Sequence, residues 1–132
     1  MTKRFSFRKA ALEAARAADH KKSANIKLYD VHRSSTLADY YLVATVESTP
    51  HASAVQDAID RSLQALLGAV GRRCDGGVRA NWRVLDFGGL VVHLMSESAR
   101  SFFDLERLWE SARPVQWDRG AVSTTSARAL EE

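Results

Sequence analysis

The sequence predicts a single α/β (α+β) domain built on a mixed β-sheet flanked by helices, and three observations lead there. At 132 residues and 45% hydrophobic content, the chain is sized for one core. Segments patterned for helix and for strand interleave in the order helix, strand, strand, helix, strand, strand, helix, as in a layered sheet-and-helix domain. The last two strands are joined by Gly88-Gly89, too short for the crossover that parallel neighbours need, so the sheet cannot be parallel throughout.

Each element has its own signal. Residues 5–22 are rich in alanine, the best helix former, with charges scattered through them, and read as the first helix. "NIKLYDV", Asn25 to Val31, alternates apolar and polar residues at the period of a half-buried strand. "HRSSTLAD" interrupts that pattern with turn-forming hydroxyls. "YYLVATV", Tyr40 to Val46, is apolar almost throughout, as a central strand covered on both faces should be. Thr49 is the expected cap and Pro50 the first helical residue of a helix whose Val55, Ile59, Leu63, Leu66 and Val70 form one apolar stripe, ending near Gly71. "SESARSFFDLERLWE" reads as one or two short helices that place Phe102, Phe103, Leu105, Leu108 and Trp109 against the body. Residues 1–113 thus make the domain, and 114–132, with little periodicity, are expected to be a flexible tail.

Composition narrows the function. No apolar run is long enough to cross a bilayer and no secretory signal opens the chain, so a soluble, cytoplasmic protein is expected. The single cysteine, Cys74, cannot form an internal disulfide or a multi-cysteine zinc site. The 19 basic and 16 acidic residues leave a net charge of +3, too mild to argue for nucleic acid alone. The excess is local: all the lysines lie within the first 33 residues, where a contact with RNA competes with the plainer reading of a solvated helix face.

The stretch "NWRVLDFGGLVVHLM", Asn81 to Met95, carries the most information. A two-residue glycine turn pairs Asp86 with Val91, Leu85 with Val92, Val84 with His93 and Trp82 with Met95. One face of the ribbon then holds Arg83, Leu85, Phe87, Leu90, Val92 and Leu94, a core face. The other gathers Trp82, Val84, Asp86, Val91, His93 and Met95, with Asp86 diagonal to His93. That grouping depends on register, since a three-residue turn would move His93 to the other face. An Asp beside a His can orient an imidazole, but no nucleophile motif accompanies it. His20, His32, His51 and His93 have no metal-ligand spacing, and the glycines match no phosphate loop, so no metal and no cofactor are expected. Large amphipathic side chains on an open sheet face fit a protein-docking surface.

Three blocks, "DVHRSSTLADYYLVAT", "WRVLDFGGLVVHLM" and "RSFFDLERLW", in this order and spacing, resemble the ribosomal silencing factor family, the RsfS or iojap-like proteins. The resemblance runs from about Ala10 to Arg113. It is carried by Asp30, Ser35, Asp39, Tyr40, Ala44 and Thr45 in the first block, by Trp82, Leu85, Asp86, Gly88, Val91, Val92 and His93 in the second, and by Phe102, Asp104, Leu105, Glu106, Leu108 and Trp109 in the third. The chain departs from the family pattern at His32, Val43, Val46, Arg83 and Gly89, and where "CDGG" stands before the Trp82 strand.

The resemblance implies a sheet of nucleotidyltransferase-like topology without that activity. Asp30 is followed by Val31 and His32, so the paired carboxylates of an active nucleotidyltransferase are missing. It also implies binding to the large ribosomal subunit through ribosomal protein L-fourteen, blocking the joining of the small subunit and damping translation when nutrients are short. The residues expected to form or support that docking face are Tyr40, Trp82, Leu85 or Asp86, Phe87 and His93, with Asp30 and Asp39 in support. A peripheral rRNA contact from the basic first helix and a homodimer off the ribosome complete the expected partners. Two rival readings are a residual nucleotidyltransferase or hydrolase using Asp30, Asp39, Asp86 and His93, and a self-associating module.

Overall fold

The computed structural model describes residues 7–33, 38–67, 73–75 and 81–118. The elements follow in the order α1 (Phe7–His20), β1 (Ala24–Asp30), β2 (Tyr40–Thr45), α2 (Thr49–Leu67), β3 (Arg73–Asp75), β4 (Trp82–Asp86), β5 (Leu90–Met95), α3 (Glu97–Phe103), a 3-10 turn (Leu105–Trp109) and β6 (Arg113–Pro114). The strands form one sheet in the order β3-β4-β5-β2-β1-β6. Only β2 and β5 run parallel; the other neighbours are antiparallel. The expected mixed sheet with flanking helices is therefore the fold.

One face of the sheet is covered by α1 and α2. Ala10, Ala11, Ala14, Ala15 and Ala18 are fully buried on α1, at spacings of one and three that place them on one side of the helix. Having no side chain beyond Cβ, they let α1 lie close to the sheet and to α2. Ala52, Val55, Ile59 and Leu63 form the buried stripe of α2 and Leu66 is half-buried; Val70 and Gly71 lie outside the described residues. Beneath the helices sit Leu28, Leu42, Ala44, Leu85, Phe87, Leu90, Val92 and Leu94. Arg83 belongs to this face too, buried at 5% exposure, and its Nη1 donates to Gln56 Oε1 of α2 at 2.8 Å.

The start of α2 corrects one expectation. Ser48, not Thr49, is the cap: its Oγ accepts from the His51 N–H at 3.1 Å, the bond a capping hydroxyl makes three residues into the helix. His51 locks the neighbouring corner, with Nδ1 accepting from the Glu47 N–H and Nε2–H donating to the Lys21 carbonyl at the end of α1. That end is a Schellman turn: Ser23 N–H reaches the Ala18 carbonyl and Lys22 N–H the Asp19 carbonyl, with Lys22 at φ 65° where glycine is usual.

The hairpin takes the expected register, including Trp82 with Met95, Val84 with His93 and Asp86 with Val91. Gly88 adopts φ 96°, natural only for glycine. At Gly89 a Cβ would lie 2.3 Å from the Phe7 ring, so glycine there lets the first residue of α1 lie across the turn. The Gly89 carbonyl accepts from the N–H groups of Asp39 and Tyr40, which ties the start of β2 to the turn. Residues 114–118, which open the segment expected as a tail, run beside β1. Val115 N–H donates to the Leu28 carbonyl and the Trp117 indole to the Ile26 carbonyl, while Arg16 of α1 donates to the Trp117 carbonyl.

Candidate docking face

Side chains alternate across a strand, so the parallel register of β2 on β5 decides what shares a face with His93. Val43 lies opposite His93, Tyr41 opposite Val91 and Thr45 opposite Met95. On β1, Tyr29 lies opposite Tyr41. This second face of the sheet is covered by α3 and the 3-10 turn around a small core of Val31, Val43, Met95, Ala99 and Trp109.

An unbroken aromatic strip crosses it. Trp109 from the 3-10 turn lies 5.5 Å from Tyr29, 4.6 Å from Tyr41 and 5.6 Å from His93 between ring centroids. Tyr41 meets His93 edge-on at 5.9 Å. The Trp82 indole N–H donates to His93 Nδ1 at 3.1 Å, which places the proton of the neutral ring on Nε2. Burial pushes the His93 pKa down to about 4, so the ring is neutral at physiological pH. Trp82 then packs on Phe103 at 4.6 Å, and Phe103 on Phe102 at 5.0 Å.

The outer end of this strip meets solvent. Phe102 is 81% exposed, Phe103 47% and Leu108 74%. The expectation that all three pack against the body is corrected: of the five apolar residues expected there, only Trp109 is buried and Leu105 half-buried. The reason is local: α3 is only seven residues long, its buried side is filled by Ala99 and Arg100, and Phe102 and Phe103 lie at its C-terminal end beyond them.

A polar clasp holds that ridge in place. Arg100 is buried at 6% exposure and grips Glu106 with two bonds, Nε to Oε1 at 3.0 Å and Nη2 to Oε2 at 3.1 Å. Its Nη1 also donates to the Asn25 carbonyl and to Thr45 Oγ1. Arg100 keeps the Glu106 carboxyl below its usual pKa against the opposing effect of burial. Tyr29 donates its hydroxyl to Glu106 Oε2; burial and that carboxylate push its pKa up to about 12. Ser96 caps α3 through its Oγ, and Asp104 closes it in the left-handed conformation. The family block "RSFFDLERLW" thus contains both halves of the clasp, the closing Asp104 and the central Trp109.

The predicted site residues divide. Trp82 and His93 come together as expected. Asp86 does not join them: it is exposed, and its Oδ1 accepts from the Gly88 N–H within the turn. Leu85 and Phe87, at 0% and 6% exposure, lie under the helices, so they support the sheet and present no surface. Tyr40 also packs toward the helix side; its neighbour Tyr41 is the one beside His93. Asp39 acts through its backbone, whose carbonyl accepts from the Val31 N–H. Asp30 faces the far corner, where Oδ1 meets His32 Nδ1 at 2.6 Å. Burial raises its pKa, but the His32 bonds and the charge of Arg113 outweigh that and lower it. Asp30, Asp39, Asp86 and His93 therefore form no common centre. Among the described residues, no three His, Cys, Asp or Glu groups are placed to share a metal ion, and no helix is long and apolar enough to cross a membrane.

Comparison with known proteins places the chain in a family. The family model described as "Ribosomal silencing factor during starvation" matches residues 5–132. A ribosomal silencing factor of Treponema pallidum is 37% identical over 101 residues, covering 76% of this chain and 90% of that one. That of Bacillus subtilis is 31% identical over 111 residues, covering 81% and 90%. A mitochondrial Iojap-related protein of Arabidopsis thaliana is 33% identical over 93 residues, covering 68% of this chain and 50% of that longer one. In fold, the chain matches a crystal structure from Chromobacterium violaceum with a TM-score of 0.71 at 24% identity, over 80% of this chain and 88% of that one. With the family model spanning nearly its whole length and relatives of that name up to 37% identical over most of it, the chain belongs to the ribosomal silencing factor family.

Proposed function

We propose that the protein represses translation by docking on the large ribosomal subunit through ribosomal protein L-fourteen and blocking small-subunit joining when nutrients are scarce. The observation that carries this reading is the exposed Phe102 and Phe103, packed on the Trp82–His93–Trp109 strip through Trp82, with the exposed Leu108 in the adjoining 3-10 turn. Exposed aromatic and aliphatic area on a preorganised support is what a protein hot spot requires. The action is steric and needs no catalysis: the side chains of the face bond to one another and present no activated nucleophile. An interface of standard size would cover about 800 Å² on each partner. The exposed Arg8, Lys9, Lys21 and Lys22 of the α1 region sit where a peripheral contact with rRNA would add to affinity, and the cytoplasm is the corresponding location.

The test is co-sedimentation with isolated large subunits, followed by a subunit-joining assay. Phe102→Ser with Leu108→Ser should weaken binding at least 30-fold, about 2 kcal/mol, and restore joining, with Trp82→Ala acting in the same direction. Unchanged binding by the folded double variant would refute the assignment of the face. The same apolar ridge also favours a second reading, self-association of two copies. Light scattering over a concentration series separates the two, because a dimer through the ridge would dissociate in the same double variant.

A further inference from the structure

A separate feature lies at the corner where β1 ends and β6 begins. Asp30, His32, Arg33, Ser111, Ala112 and Arg113 line a pocket of about 250 Å³. Its walls are held by the backbone: Asp30 pairs with Arg113 across β1 and β6, and the Ala112 N–H donates to the Trp109 carbonyl. The His32 ring is fixed by its 2.6 Å contact with Asp30, whose Oδ1 also accepts from the His32 N–H. Among the described residues, Arg33 and Arg113 make no ion pair with any carboxylate. Two exposed arginines, Arg33 and Arg113, and the exposed Ser111 thus line one small concavity. The lone carboxylate there, Asp30, accepts from His32 and also feels the charge of Arg113.

We propose that this corner is a phosphate-binding site that takes a backbone phosphodiester of single-stranded RNA. Guanidinium groups form paired bonds to phosphate oxygens, and the net charge of the pocket is positive with Asp30 ionised. A solvated face would carry the same charges on a convex surface and would not enclose them. A backbone phosphate fits better than a free nucleotide, because the one aromatic ring lining the pocket, the His32 imidazole, is tied to Asp30, and no Phe, Tyr or Trp is there to stack a base. The site adjoins the aromatic strip through Tyr29, next to Asp30, and Trp109, two residues before Ser111. A protein bound by that strip would hold nearby RNA at this corner.

The experiment uses the full chain and a fluorescent eight-nucleotide RNA, with anisotropy measured over a salt series. Arg33→Ala with Arg113→Ala should weaken binding at least tenfold at low salt and make the slope of log K against log salt shallower by about 0.7 for each phosphate released. The double lysine variant, which keeps the charge and loses the paired bonds, should recover only part of the affinity, and circular dichroism should show both variants folded. Inorganic phosphate at millimolar concentration should shift the amide resonances of residues 111–113 in the unmodified protein and not in the alanine variant. An unchanged salt slope in the folded alanine variant overturns the proposal, and so does equal binding of a poly-glutamate peptide. Binding to isolated L-fourteen should be unaffected by these substitutions, so a failure here and a failure of the docking face are read separately.

Discussion

His93 makes the stability of this protein depend on pH in a window that one substitution isolates. Burial lowers its pKa from 6.5 to about 4, so between those values the unfolded chain binds a proton that the folded chain refuses. Stability attached to this residue is complete above pH 6.5, declines as pH falls and is gone below about pH 4. At 1.36 kcal/mol per unit, the fall from 6.5 to about 4 amounts to about 3 kcal/mol. The geometry gives the cause, since a proton on Nδ1 would remove the acceptor of the Trp82 indole N–H and leave a charge between Tyr41 and Trp109. His93→Gln keeps an acceptor within reach of Trp82 and has no proton to gain. Urea unfolding of both proteins, followed by circular dichroism at pH 7, 5.5 and 4, should show the wild type losing about 3 kcal/mol more than the variant. Glu106 and Asp30, whose lowered carboxyl pKa values cost stability at the acidic end, act equally on both proteins and cancel in the difference. Parallel pH profiles would refute the assignment of a neutral, buried imidazole.

Two further outcomes test the scaffold around the face. Glu106→Gln leaves Arg100 buried without its carboxylate, and should cost about 3 kcal/mol in urea unfolding; a loss below about 1 kcal/mol would mean that the Asn25 carbonyl and Thr45 satisfy the guanidinium unaided. Lys22→Gly should raise stability by about 0.5–1 kcal/mol, because glycine meets the left-handed conformation at the end of α1 without steric cost, and an unchanged unfolding midpoint would show that Lys22 is not strained.

The parts of the fold that were legible in the sequence are those set by local rules. Gly88-Gly89 fixed the turn length, and the period of two then assigned Trp82 and His93 to one face and Leu85 and Phe87 to the other. The choice between Tyr40 and Tyr41 was different in kind. It depends on β2 lying parallel to β5 with Val43 opposite His93, a pairing between segments some fifty residues apart that no local pattern encodes. The exposure of Phe102 and Leu108 was missed for a related reason. An apolar residue in a short helix reads as core until the buried stripe is known, and here Arg100, by charge the least expected member, occupies it.

The pairing of residues 113–118 with β1 also has a kinetic side. The bond from Trp117 to Ile26 spans 91 residues and that from Arg16 to Trp117 spans 101. Closing a loop of that length in a free chain costs about 4 kcal/mol in its length-dependent part, more than two or three hydrogen bonds return. This pairing can form only after β1, β2 and β5 have brought the two segments together, so it belongs among the last steps of folding and the first of partial opening. While it is open, the outer edge of β1 offers unpaired N–H and carbonyl groups to any other strand. The closing segment thus protects the newly made protein from edge-to-edge aggregation, a role separate from whatever the finished fold binds.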